Sequence, residues 1–244
     1  MPVLARHFSD SQFPRQIFVQ QPNRRFVRCL VCTETTFRLF HFDRSRVIYS
    51  PALNVHEEQE LFVRLVLGIT SQNERLAGLD TSIQWTILPN GRKGEGWITV
   101  ASNEAGKPPK KCKIIMGPKR CFSIRGRATT SWTIEDPDRI NERVFLKDYW
   151  RAEDRAKELV FLDIVKQKDV EGVCHHYEYE ERGSTKDPEF YGGEEPEQPI
   201  LHRYETRVTM KAYGPTVDNF TSPKQMLEVL RDAINGECSF HATC

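Results

Sequence analysis

A lysine at the end of an apolar strand, followed by a glutamate on the next helix, constrains this chain more than any other feature. Between Lys119 and Leu162 the sequence reads as a strand, a turn of small residues, a second strand, a polar hairpin, and a third strand ending in Lys147. A helix from Arg151 to about Lys166 completes the run. In Val144-Phe145-Leu146-Lys147 the period of two puts Val144 and Leu146 on the core face, with Lys147, Phe145 and Tyr149 on the other. A lysine placed there needs an anion or water, because burying an ammonium alone is expensive. Glu158 poses the converse problem, since helical spacing sets it between Leu162 and Val165 in an apolar stripe. Two opposite charges across one strand-to-helix connection are natural partners. Such a pair is weak support for stability, because desolvation offsets the attraction, so a functional reason to keep it is favoured. The plainer reading is a lysine whose stem lies on apolar surface and whose ammonium reaches water.

The turn between the first two strands bears on the same site. Backbone amides approach a phosphate closely only where side chains are small. Gly126-Arg127-Ala128-Thr129-Thr130-Ser131-Trp132-Thr133 is small at its first, third and sixth positions, the spacing of the Gly-x-Gly-x-x-Gly-x-Val template, although only Gly126 is glycine. Alone this is a weak signal, common to many turns. Lys147 follows Thr133 by fourteen residues, with Glu158 beyond it, and that order strengthens the signal.

The bulk properties exclude several classes. At 244 residues with a formal net charge of +1, the chain suits a globular protein and not a wholly basic nucleic-acid coat. No apolar run approaches the roughly 18 residues needed to span a bilayer. The opening MPVLARHFSDSQFPR lacks the apolar core of a secretory signal, so an intracellular place, cytoplasm or nucleus, is expected. The seven cysteines read as mostly buried free thiols. Cys29 and Cys32 have zinc-ligand spacing but no second ligand pair, and on a strand an offset of three points them to opposite faces. The adjacent His175 and His176 also face opposite ways on a strand and read as a surface pair.

Along the chain, Arg25–Cys32, Thr35–Phe42 and Arg46–Tyr49 read as short strands. Glu57–Leu67 has helical spacing with Gly68 as its stop, and Ile83–Leu88 and Gly96–Val100 alternate around Pro89-Asn90-Gly91. From Lys107 to Arg127 there are eight basic residues and no acid, a patch that could meet phosphate or, more plainly, a solvated loop and strand faces. From Glu178 to Glu197 eight acids stand against Arg182 and Lys186, which reads as a mobile insertion. Tyr204–Tyr213 reads as a strand. Ser222 then caps a helix begun by Pro223, running to about Asn235 and stopped by Gly236.

These residues together resemble the fungal-type protein kinase domain family. The likeness is carried by Phe42-Asp43-Arg44-Ser45, Phe62-Val63-Arg64, Gly78-Leu79-Asp80, Gly126-Arg127-Ala128-Thr129 with Trp132, and Leu146-Lys147-Asp148-Tyr149-Trp150-Arg151 with the Glu158 helix. Thr206-Arg207-Val208 and Gly214, before the Phe220–Ile234 segment, complete it. It spans about Arg25 to the end. The resemblance implies an α+β fold: a kinase-like small lobe of antiparallel sheet plus one helix over 119–213, with an acidic mobile insertion at about 178–200. A strand and helix extension over 1–118 would precede it, and 214–244 would hold only the first helix of a large lobe.

It further implies that ATP is the ligand. Gly126, Arg127, Ala128 and Thr129 would cover its phosphates, Lys147 would bind them, and Glu158 would orient Lys147. Phe145, Met210, Ala212 and Tyr213 would line the adenine slot and hinge. The position two before the lysine is usually small in kinases, so Phe145 is expected to crowd the base. No His-Arg-Asp with a downstream Asn and no Asp-Phe-Gly occurs in the sequence. No catalytic base or magnesium site is therefore expected, and this chain alone is expected to be inactive. A protein partner would cover the apolar lobe face. The alternative is a non-enzymatic interaction module that binds an acidic partner or nucleic acid through 107–127.

Overall fold

The computed structural model describes residues 3–4, 12–104, 106–120, 123–170, 172–190, 200–212 and 219–243. Among these residues two antiparallel sheets and four helices make an α+β fold. The first sheet holds β1 (Val3–Leu4), β2 (Val27–Cys32), β3 (Thr36–Phe42), β4 (Val47–Tyr49) and β5 (Leu53–Asn54), in the order β1-β4-β3-β2 with β5 beside β3. Helix α1 (Gln12–Gln20) lies between β1 and β2 in sequence, and helix α2 (Gln59–Ile69) follows β5. Phe18 of α1 joins Val27, Phe40, Phe42 and Val47 in its core.

The second sheet has seven strands: β6 (Ile83–Ile87), β7 (Lys93–Val100), β8 (Lys110–Arg120), β9 (Thr130–Glu135), β10 (Arg143–Ala152), β11 (His176–Ser184) and β12 (Arg203–Lys211). Their order is β11-β12-β10-β9-β8-β7-β6, with α3 (Glu158–Gln167) between β10 and β11, and α4 (Pro223–Thr243) last. Ile83, Ile98, Val100, Cys112, Trp132, Ile134, Val144 and Leu146 form its apolar core. As their alternation requires, Val144 and Leu146 are fully buried on this face. Phe26, Ala128, Trp150 and Phe190 form a smaller cluster that ties the first sheet to the turn before β9.

Several expectations change. The strand of Lys147 does not end there. Nine residue pairs with β12, from Val144–Lys211 to Ala152–Arg203, carry β10 on to Ala152. The helix therefore starts at Glu158, its first residue, and not at Arg151. A boundary at 118 falls within β8, whose ladder with β9 continues to Arg120–Thr130. Glu178–Ser184, expected to be mobile, lies in β11 and pairs with β12. Its acids meet cations supplied from elsewhere in the chain: Glu178 lies 3.5 Å from Lys110, and Glu181 lies 3.1 Å from Lys157. Residues 191–199 of that stretch lie outside the described residues.

The two glycines expected to stop helices lie inside them. Gly68 is within α2, which ends where the Thr70 hydroxyl donates 2.8 Å to the Val66 carbonyl. Gly236 is within α4, and a Cβ there would stand 3.0 Å from the Gly172 carbonyl oxygen. Close approach of two backbones, not helix termination, requires that glycine. Ser222 does cap α4, its Oγ accepting the Gln225 N–H at 3.2 Å.

Candidate functional site

The strand lysine and the helix glutamate meet. Lys147 Nζ donates to Glu158 Oε1 at 2.8 Å and to Oε2 at 2.9 Å. Extended backbone aims Lys147 at α3. The shift of the helix start places the Glu158 carboxylate on the first helical turn, where the backbone dipole favours an anion. The apolar stripe expected around Glu158 begins after it. The two side chains keep 19% and 30% of their surface exposed, so the pair is open to a ligand.

Two further groups complete the site. Arg127 Nη2 lies 4.0 Å from Glu158 Oε2, and the Arg127 guanidinium is 5.6 Å from the centroid of the Tyr149 ring. Lys147 Nζ is 4.8 Å from the same centroid. Tyr149 is buried, and that burial, followed by the nearby Glu158 and Tyr179, pushes its phenol well above the ordinary tyrosine range. Reading the sequence put Tyr149 on the Lys147 face but assigned it no role. Its signal was the i, i+2 spacing from Lys147.

The turn that bears Arg127 is fixed by the rest of the chain. Gly126 has φ +130° and donates its N–H to the Arg44 carbonyl at 3.1 Å. The Arg127 carbonyl accepts the Trp150 N–H at 2.7 Å. Arg44 donates back to the Ser123 and Ile124 carbonyls, each at 3.2 Å. Ala128 sits in the left-handed region at φ 44°, its methyl buried against Phe26, Trp150 and Phe190. Thr129 follows it, half-buried.

Phe145 and Met210 stand opposite each other on β10 and β12 and join Tyr149, Val208, Leu162 and Tyr179 in one cluster. The Ala212 N–H donates to the Arg143 carbonyl at 3.0 Å, continuing the ladder. Tyr213 lies outside the described residues. A cavity of about 550 Å³, lined by Trp97, Lys111, Lys113, Arg139 and Arg143 among others, lies at the hairpin end of the sheet and does not include Lys147.

Behind Lys147 lies a buried charge network that sequence reasoning did not connect. Arg207 donates to Asp148 at 2.7 Å and to Asp80 at 3.3 Å, and Arg182 clasps Asp80 at 2.5 and 2.7 Å. Arg25 reaches Glu205 at 2.9 Å and also pairs with Glu189. Burial alone would raise the Asp80 carboxyl, but Arg182 and Arg207 overcome it and hold the group below the usual carboxylate range.

The basic stretch is partly neutralised. Lys107 pairs with Glu104 at 2.6 Å, Lys110 with Asp136 at 2.6 Å, and Lys113 with Glu95, while Lys111 lies over Trp97 at 4.5 Å. Among the described residues no three His, Cys, Asp or Glu side chains stand together as metal ligands. Among them, too, no helix is long and apolar enough to cross a membrane.

A family model described as fungal protein kinase matches residues 11–189. The chain belongs to the fungal protein kinase family. No curated protein and no solved structure matches it.

Proposed function

We propose that this chain holds the phosphates of ATP, as the nucleotide-gripping part of a fungal protein kinase, in a kinase-like small lobe. The observation that carries the reading is the two-pronged Lys147–Glu158 contact, 2.8 and 2.9 Å, beside the Gly126 turn. Lys147 takes the phosphates, Glu158 keeps Lys147 extended, and Arg127 adds a second cation. Two cations against one carboxylate leave the site in positive excess, which suits an anion. The Gly126 amide already serves Arg44, so the turn contributes its arginine side chain more than its first N–H. Phe145 and Met210, packed on each other, narrow the place where a base would lie. The 244 residues contain no His-Arg-Asp and no Asp-Phe-Gly, so we assign them binding and not phosphoryl transfer.

Val160 and Phe161 on α3, and Leu227, Leu230 and Ile234 on α4, are exposed apolar side chains, which supports a protein partner. A nucleic-acid role for 107–127 has less support, because Lys107, Lys110 and Lys113 already meet carboxylates. The test of ATP binding is thermal unfolding. ATP at ten times its Kd should stabilise the protein by about 1.4 kcal/mol, or about 4 °C in Tm. Lys147→Ala should abolish the shift. A wild-type Tm that millimolar ATP leaves unmoved, with or without magnesium, would overturn the reading.

A further inference from the structure

We propose that Tyr149 is the positioning residue of this site, its ring a fixed floor that holds Lys147 and Arg127 toward one anion-binding point. The inference rests on the reading of Lys147 as a phosphate-holding group. Tyr149 is 2% exposed, faces Thr206 across the β10–β12 ladder, and packs among Val208, Met210, Leu162 and Tyr179. A ring so enclosed has no room to swing away when a ligand arrives.

The two cations reach it from different elements. Lys147 stands two residues back on the same strand, its ammonium 4.8 Å from the ring centroid. Arg127 comes from the turn before β9, its guanidinium 5.6 Å from that centroid. Both fall within the reach, about 6 Å, at which a ring quadrupole attracts a cation. The Arg127 backbone is itself tied to the neighbour of Tyr149, since its carbonyl accepts the Trp150 N–H at 2.7 Å. Arg127 is therefore anchored at its root and drawn to the ring at its tip.

The Glu158 carboxylate does not hold the two cations equally. Glu158 lies 2.8 Å from Lys147 and 4.0 Å from Arg127, so Arg127 is the less tightly held of the two. The electron-rich ring supplies the attraction that the carboxylate does not, without cancelling the positive charge an anion would meet. Burial, then Glu158 and Tyr179, keep the phenol protonated, so the hydroxyl adds no charge. The ring does the positioning.

The test titrates the full chain with inorganic tripolyphosphate and, separately, with ATP. Tyr149→Phe should bind both within about twofold of wild type, and Tyr149→Leu should weaken both by roughly tenfold. Should Tyr149→Leu fail to fold, Tyr149→Met makes the same comparison. A ligand-free readout accompanies it: upfield ring-current shifts on the side-chain protons of Lys147 and Arg127, present in wild type and Tyr149→Phe and lost in the aliphatic variant. The proposal is overturned if the aliphatic variant binds like wild type. It is equally overturned if Tyr149→Phe weakens binding as much, or if wild type shows no ring-current shifts. Equal tripolyphosphate affinity in wild type and Lys147→Ala would overturn the phosphate reading instead, whatever the ring-current shifts.

Discussion

Cys112 shows how a single buried residue ties stability to pH. It lies fully inside the core of the seven-stranded sheet, and burial, followed by the field of Asp136, pushes its thiol up to about 12. An acid whose folded pKa is raised stabilises the fold fully below its unfolded pKa, and that contribution is lost as pH rises toward the folded value. For Cys112 the window opens near pH 9, and stability should fall steadily between there and about pH 12. Denaturant titration across this range should show a shallower alkaline decline in Cys112→Val than in wild type. Parallel declines would show that the thiol is not the titrating group. The reading of the cysteines as buried thiols holds for Cys112, but its packing against Trp132 and Ile134, like the size of its shift, depends on strands far away in sequence.

At the scale of elements, the turn before β9 is the instructive case. Its small residues suggested a phosphate loop, and the structure shows that they also meet demands of the fold. Gly126 needs its positive φ to turn the chain toward Arg44, while the space where a Cβ would stand is open apart from Ser123 Oγ at 4.0 Å. Gly126→Ala should therefore cost about 1–2 kcal/mol through backbone conformation alone. Thermal unfolding checks this, and a loss above about 3 kcal/mol would mean a steric or hydrogen-bond role instead. The helix stops misread at Gly68 and Gly236 teach the same lesson. A glycine in a sequence announces freedom of the backbone, but what uses that freedom is set by neighbours such as Gly172.

The whole molecule is joined by the buried charges behind the site. Arg25, Asp80, Asp148, Arg182, Glu205 and Arg207 come from the N-terminal segment, the loop before β6, and three strands of the second sheet. Removing one member strands the others, so Arg207→Met should destabilise the protein by about 3–5 kcal/mol at neutral pH. The same network governs acid stability. The folded pKa of Asp80 is depressed, so its contribution is complete above the unfolded carboxylate value, near pH 4, and is lost as pH falls toward the folded value. Glu205 is shifted the other way by burial, ahead of the opposing pull of Arg182 and Arg25, so its own effect on stability falls above its unfolded value and outside the window of Asp80. Urea titrations from pH 5 to pH 2 should show a steep loss in wild type and a flatter one in Arg207→Met. Equal slopes would detach the network from acid unfolding.

The sequence by itself determined many of the strands, the core face of the Lys147 strand, and the charges left without local partners, because alternation and helical spacing act over a few residues. It therefore placed Lys147 opposite the core face and pointed to Glu158 as its partner. Only the tertiary structure decided where α3 begins, because the ladder with β12 extends β10 past Lys147. It also decided that the acids of 178–189 are structured, because their cations lie at Arg25, Lys110 and Lys157. The gathering of Arg127 and Lys147 on one tyrosine belongs to that level too. Contacts between residues distant in the chain depend on which strands pair, and sheet order is settled by packing the whole chain at once.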